Sequence, residues 1–251
     1  MKTMYLLPNL FTLGNIFLGF YSIVSAIDGK DSQAAYLVII AAFFDVFDGA
    51  IARVTNSTSK FGVEFDSLAD LVSFGVAPGV LAYLWILKPL GRVGWLGAFL
   101  FLVCGALRLA RFNVQVKTVS SERFIGLPIP CAAGMLVSTV IFIEHYTDLI
   151  GPKEQYRFPV AALVYLLGIL MVSNIRYISS KAVRLRGKSP FKVMVIASLI
   201  LITIALKPEV TFFTVGVLYV LFGLLEAIPG FPTFFTPRLK DDADKDEELD
   251  S

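Results

Sequence analysis

The sequence predicts an all-α, polytopic membrane helix bundle of about eight transmembrane helices with both termini cytoplasmic. Three observations carry this. Apolar residues make up 56% of the 251, and the mean hydropathy of +0.74 lies far above the soluble range. Apolar runs long enough to cross a bilayer, for which about 20 residues are needed, recur along the whole chain. Charged residues are displaced into the short segments between those runs, and a soluble protein of this length cannot bury so many long runs around one core.

The spans read in order are Leu6–Ile27, Gln33–Val54, Val63–Leu87, Val93–Val114, Ile129–Ile143, Phe158–Ile175, Pro190–Leu206 and Val210–Pro229. With both termini inside, 16 of the 22 basic residues fall on the cytoplasmic side, the asymmetry that orients membrane proteins. An odd number of spans would destroy that separation. Pro8, Asn9, Thr12 and Asn15 interrupt the first run and argue against a cleaved leader. Cys104 and Cys131 lie in or beside apolar spans and suggest neither a disulfide framework nor a metal knuckle. His145 is alone and reads as a loop residue.

Residues 1–237 read as one membrane-embedded domain and residues 238–251 as an acidic, disordered cytoplasmic tail. Seven acids and three bases occupy that tail; the remainder carries a net charge of +6, a basic face suited to anionic headgroups and phosphates. Nothing reads as a nucleic-acid site; the partner that composition implies is the lipid bilayer.

The second and third spans hold what membrane helices avoid. Asp45 and Asp48 follow the run Ala34–Phe44, and Asp66 and Asp70 open the next span. An ionised Asp at mid-membrane costs about 2.5–3.5 kcal/mol, so intramembrane acids mark function by default. At about 100° per residue, Asp48, Gly49 and Ala52 fall within about 60° of Asp45, and Gly62, Asp66, Ala69, Asp70 and Ser73 form a second narrow stripe. Glu64 points nearly the opposite way. Two antiparallel helices joined by the polar linker Thr55–Lys60 bring the stripes together.

Carboxylates without Cys or His favour Mg²⁺ or Mn²⁺ over zinc, and several on facing helices suit a pair of divalent ions clamping phosphoryl oxygens. Gly49, Ala52 and Gly62 leave room beside such ions, and Arg53 can reach a phosphate. Small residues also serve helix packing. A purely structural salt-bridge cluster fits less well, because Arg53 and Lys60 cannot neutralise four acids. An ion or proton relay would spread ionisable groups through the membrane depth, often in repeated halves; here they gather near one boundary and no repeat is present.

These residues carry a resemblance. Asp45-Val-Phe-Asp48-Gly49-Ala-Ile-Ala52-Arg53, then Gly62, Asp66 and Asp70 at the spacing found here, resembles the signature of the CDP-alcohol phosphotransferase family at every motif position. The resemblance implies a membrane enzyme, usually dimeric, needing Mg²⁺ or Mn²⁺, with its site near the cytoplasmic boundary of the cell membrane. It implies metal binding by Asp45, Asp48 and Asp66, with Asp70 as the base for an acceptor hydroxyl and a further metal contact. Gly49, Ala52, Arg53 and Gly62 would line the CDP pocket.

Three further segments are similar to the bacterial and archaeal phosphatidylserine synthase branch of the family. They are the opening Leu7-Pro8-Asn9-Leu-Phe-Thr12, Leu107-Arg108-Leu-Ala-Arg111-Phe112-Asn113, and Phe124-Ile-Gly126-Leu127-Pro128-Ile-Pro130. This likeness adds Asn9 and Thr12 to the CDP-lipid site, and Arg108, Arg111, Asn113, Gly126 and Pro128 to an acceptor site. It implies transfer of a phosphatidyl group from CDP-diacylglycerol to L-serine. Arginine suits the serine carboxylate, which it grips through two hydrogen bonds. The same arginines also suit lipid phosphates or the phosphate of another acceptor, so glycerol 3-phosphate, inositol phosphate and choline remain open as acceptors.

Overall fold

The computed structural model describes residues 6–54, 59–115, 123–178 and 206–226, together with residues 198, 202 and 203. Its elements are α1 (Leu6–Ile27), α2 (Asp31–Val54), α3 (Lys60–Asp70), α4 (Ala77–Ala82), α5 (Arg92–Gln115), β1 (Arg123–Ile125), α6 (Ile129–His145), α7 (Thr147–Ile150), α8 (Arg157–Val172), β2 (Arg176–Ile178) and α9 (Pro208–Glu226). Among the described residues, six helices are long and apolar enough to cross a membrane, and α6 is a shorter apolar one. The expected span Pro190–Leu206 and the tail 238–251 lie almost wholly or wholly outside the described residues, as do residues 55–58 of the linker.

Apolar side chains face outward as well as into the core. Phe17, Phe20, Phe47, Phe99 and Leu218 are exposed, as lipid-facing side chains must be. Small residues line the α1–α2 hairpin: Ala26, Ala34, Ala35 and Ala41 are buried there, and Ser22 Oγ donates to the Ala34 carbonyl at 2.8 Å. α1 packs along α2 and also against α3, α4 and the turn between them. The two aspartate-bearing helices therefore share α1 as a wall rather than pairing along their length. Gly19 permits this closeness, because a Cβ there would lie 2.7 Å from the Ser73 Cα.

The third span is not one regular helix. Between α3 and α4 the chain makes a π-turn over Leu71–Val76, and a second over Tyr83–Leu87, before a 3-10 turn at Lys88–Leu90. Prolines explain both interruptions. Pro78 has no N–H for the Phe74 carbonyl and Pro89 none for Trp85, so the ladder slips locally and the Ala77 N–H reaches back to Val72. At the opposite end from the aspartates, Glu144 accepts from Trp85 Nε1 at 2.6 Å and from Lys153 Nζ at 2.9 Å. Lys153 also pairs with Asp31 at 3.3 Å, so one cation ties the starts of α2 and α8 to the end of α6.

The helical architecture has one small addition. β1 and β2 pair antiparallel over three residues each, Phe124 opposite Tyr177. The Gly126 N–H continues the pairing to the Ile175 carbonyl at 2.8 Å. Gly126 has φ +81°, and a Cβ there would overlap the Met171 carbonyl, so this position requires glycine. His145 ends α6 rather than sitting in a loop, and its Nδ1 lies 3.7 Å from Glu209 of α9.

Candidate active site

The site begins with the caps and walls that hold its carboxylates. Ser59 is the N-cap of α3, and its side chain accepts from the Gly62 N–H at 2.9 Å. That bond starts the helix one turn before Asp66. A Cβ on Gly62 would lie 3.1 Å from Ser59 Oγ and 3.5 Å from Asn9 Oδ1, so glycine lets cap, α3 and α1 meet. Thr12, one turn along α1 from Asn9, donates its hydroxyl to Asp48 at 2.9 Å, and both side chains are buried.

The carboxylates converge. Asp45, Asp48 and Asp66 each offer an oxygen, and the three oxygens lie within 4.8 Å of one another. Asp70 is a hydrogen-bonding neighbour of Asp45. One oxygen of Asp66 and one of Asp70 are buried with no hydrogen-bond partner. An uncompensated buried charge is costly, so orphaned oxygens in an all-oxygen cluster fit hard divalent cations. Glu64 is exposed and takes no part, while a Cβ at Gly49 would meet nothing within 4 Å, leaving open space beside the cluster. The side chains of Ala52 and Arg53 lie outside the described residues.

The five residues expected around an acceptor separate into four groups. Arg108 is buried within electrostatic range of Asp70, and its guanidinium carbon lies 5.9 Å from the centre of the Phe112 ring. Arg111 turns away and donates to Asn174 Oδ1 at 2.9 Å. Asn113 Nδ2 donates to Ser67 Oγ at 3.0 Å, tying α5 to the residue beside Asp66. Gly126 and Pro128 shape the entry to α6, where Pro128 is the N-cap.

Sequence reasoning did not single out Ser67 and Asn174, which bond Asn113 and Arg111, or Tyr219, which with Cys131 lies within electrostatic range of Arg108; these partners come from segments beyond the motif. A crevice of about 350 Å³ lies between α2, α6 and α9. Val38 and Val46 of α2, Phe74, Met135 of α6, and Val215 and Tyr219 of α9 are among its lining, which is almost wholly apolar.

Fold and site define a class: a membrane-embedded helical protein with converging carboxylates and an apolar crevice, an arrangement suited to a charged, lipid-linked substrate. The chain belongs to the CDP-alcohol phosphatidyltransferase family, which it matches over residues 5–169. It is 41% identical over 222 residues to a Helicobacter pylori CDP-diacylglycerol–serine O-phosphatidyltransferase, covering 88% of this chain and 91% of that one. A Bacillus subtilis protein of the same name is 41% identical over 131 residues, 52% of this chain and 73% of that one. An archaetidylserine synthase of Methanothermobacter thermautotrophicus is 36% identical over 173 residues, 68% and 69% of the two chains.

Proposed function

We propose that this protein transfers the phosphatidyl group of CDP-diacylglycerol to the hydroxyl of L-serine, giving phosphatidylserine and CMP. The observation that carries the reading is the convergence of Asp45, Asp48 and Asp66 within a membrane bundle, with Asp70 between that cluster and the buried Arg108. Relatives named for serine transfer, one matching nearly the full length of this chain, support the acceptor.

Asp45, Asp48 and Asp66, with Asp70 at their edge, would hold Mg²⁺ or Mn²⁺. Two such ions, when bound, neutralise diphosphate oxygens and the charge that develops on departing CMP. Asp70 takes the proton of the serine hydroxyl as its oxygen attacks the phosphorus carrying the diacylglycerol. The bond from that phosphorus to the oxygen of CMP breaks, CMP keeps the electron pair, and the proton on Asp70 passes to water. Arg108 grips the serine carboxylate. Thr12 fixes Asp48, and Asn9 and Gly62 shape the wall against which the cytidine diphosphate lies. Gly49, Ala52 and Arg53 line the rest of the CDP pocket. An acyl chain fits the crevice beside Val46, whose walls offer it no polar competition.

The bias of the basic residues supports a site on the cytoplasmic face of the cell membrane, and family likeness supports a homodimer. The test is CMP release from CDP-diacylglycerol by the purified protein with each alcohol in turn. Serine should be the productive acceptor. Faster release with glycerol 3-phosphate, inositol phosphate or choline would reassign it within the family. Absence of release with every alcohol would overturn the transfer reading.

A further inference from the structure

Asp66 and Asp70 lack what steadies Asp48. Thr12 donates a hydrogen bond to Asp48, whereas one oxygen of Asp66 and one of Asp70 are buried with no hydrogen-bond partner. Their aim depends chiefly on how α3 is rolled about its axis. A helix with its side chains is about 10–12 Å across, so a roll of about 20° carries a carboxylate about 2 Å. That is a whole metal–oxygen bond for Mg²⁺, which demands near-ideal octahedral geometry at about 2.0–2.1 Å.

α3 has only 11 residues with which to resist such a roll. The π-turn over Leu71–Val76 follows it directly, and interruptions of this kind are where helices bend. Two flanking contacts oppose the movement. α1 packs along one side, where Gly62 stands close to Asn9. On another side α5 reaches α3 through Asn113, whose Nδ2 donates to Ser67 Oγ at 3.0 Å. Ser67 Oγ also lies 3.3 Å from Asn113 Oδ1 and 3.1 Å from the Val63 carbonyl. The hydroxyl thus accepts from Asn113 and donates either across to Asn113 or back along its own helix. At about 100° per residue, Gly62 and Ser67 stand about 140° apart around α3, so α1 and α5 hold the helix from two directions. Ser67 adjoins Asp66 in sequence and lies about 60° around the helix from Asp70.

We propose that Ser67 and Asn113 are positioning residues for the cation site. Their hydrogen bond fixes the roll of α3 and so presets Asp66 and Asp70 against Asp45 and Asp48. Family likeness sets Asn113 beside the acceptor, whereas its bonds direct it to α3. This role rests on the carboxylates holding a divalent cation.

The test uses the purified full-length protein and Mn²⁺ alone, titrated by electron paramagnetic resonance and read as the binding that Asp66→Asn weakens. Ser67→Ala removes the hydroxyl but puts the best helix former in its place, so poorer binding cannot come from a weaker helix. Ser67→Ala and Asn113→Ala should each raise the Mn²⁺ Kd about three- to tenfold, as for one lost neutral hydrogen bond. The double variant should bind within about twofold of either single one, because both act through the same bond. Single effects that multiply in the double variant overturn the role. So does a rise in serine KM at saturating Mn²⁺ that Asn113→Ala shows and Ser67→Ala does not, which returns Asn113 to the acceptor. If Asn113→Ala does not fold, Ser67→Ala alone carries the test, and an Mn²⁺ Kd within about twofold of the parent overturns the role. A parent without Mn²⁺ binding that Asp66→Asn weakens overturns the cation reading and this role with it. A parent that binds Mn²⁺ there, paired with variants of unchanged Kd, overturns this role alone.

Discussion

Replacing Asp70 by Asn separates the two duties that a carboxylate in this cluster can have. The amide keeps the shape and can still donate to Asp45, its hydrogen-bonding neighbour. The three oxygens that lie within 4.8 Å of one another belong to Asp45, Asp48 and Asp66, so the set available to a cation stays intact. What disappears is the group that accepts the hydroxyl proton. General-base catalysis contributes typically 10²–10⁴-fold, so kcat should fall by about that factor, or roughly 3–5 kcal/mol of barrier. Asp66→Asn should act differently. It removes a member of the triad and should weaken Mn²⁺ binding more than Asp70→Asn does. The assay pairs CMP release at saturating CDP-diacylglycerol and serine with Mn²⁺ titration followed by electron paramagnetic resonance. A kcat for Asp70→Asn within about tenfold of the parent would refute the base assignment. Loss of Mn²⁺ affinity as severe as in Asp66→Asn would refute the division of duties.

Chelation by EDTA should abolish CMP release, and added Mg²⁺ or Mn²⁺ should restore it; full turnover in EDTA would exclude the cation site. Arg108→Ala should raise the serine KM about ten- to a hundredfold through loss of a charged hydrogen bond, with only partial recovery in Arg108→Lys, which lacks the planar fork. A rise confined to the CDP-diacylglycerol KM would move Arg108 to the diphosphate. Lys153→Met should lower thermal stability in detergent by about 1–2 kcal/mol, because Glu144 and Asp31 lose a shared, partly buried cation. Its serine KM should not change, and a change would connect that cluster to the chemistry.

The helices were legible because a membrane imposes a simple length rule, and α1 spans the same residues that its apolar run marks. The carboxylate cluster was legible for a related reason: four acids cannot stand in an apolar run by accident. Less visible was how α2 and α3 meet. The facing stripes do meet at their carboxylates, but α1 packs against both helices, with Gly19 close to Ser73 and Thr12 on Asp48. The π-turns escaped a reading based on uniform rotation, although Pro78 and Pro89 stand beside them. Arg108 and Arg111 share a helical face on paper, yet one is buried near Asp70 and the other bonds Asn174. Their partners come from distant segments, which spacing within one helix cannot reveal.

The bond from Thr12 to Asp48 also bears on how the protein is made. Ribosomes deliver α1 and α2 before α3 exists, so the first hairpin must enter the bilayer with Asp45 and Asp48 and without the aspartates of α3. Asp48 makes that passage with a partner already within its own hairpin, since the Thr12 hydroxyl needs nothing from later spans. Among the described residues, the hydrogen-bonding neighbour of Asp45 is Asp70, which arrives one helix later. The first hairpin thus carries within itself a hydrogen-bond donor for one of its two acids, while the neighbour of the other follows with α3.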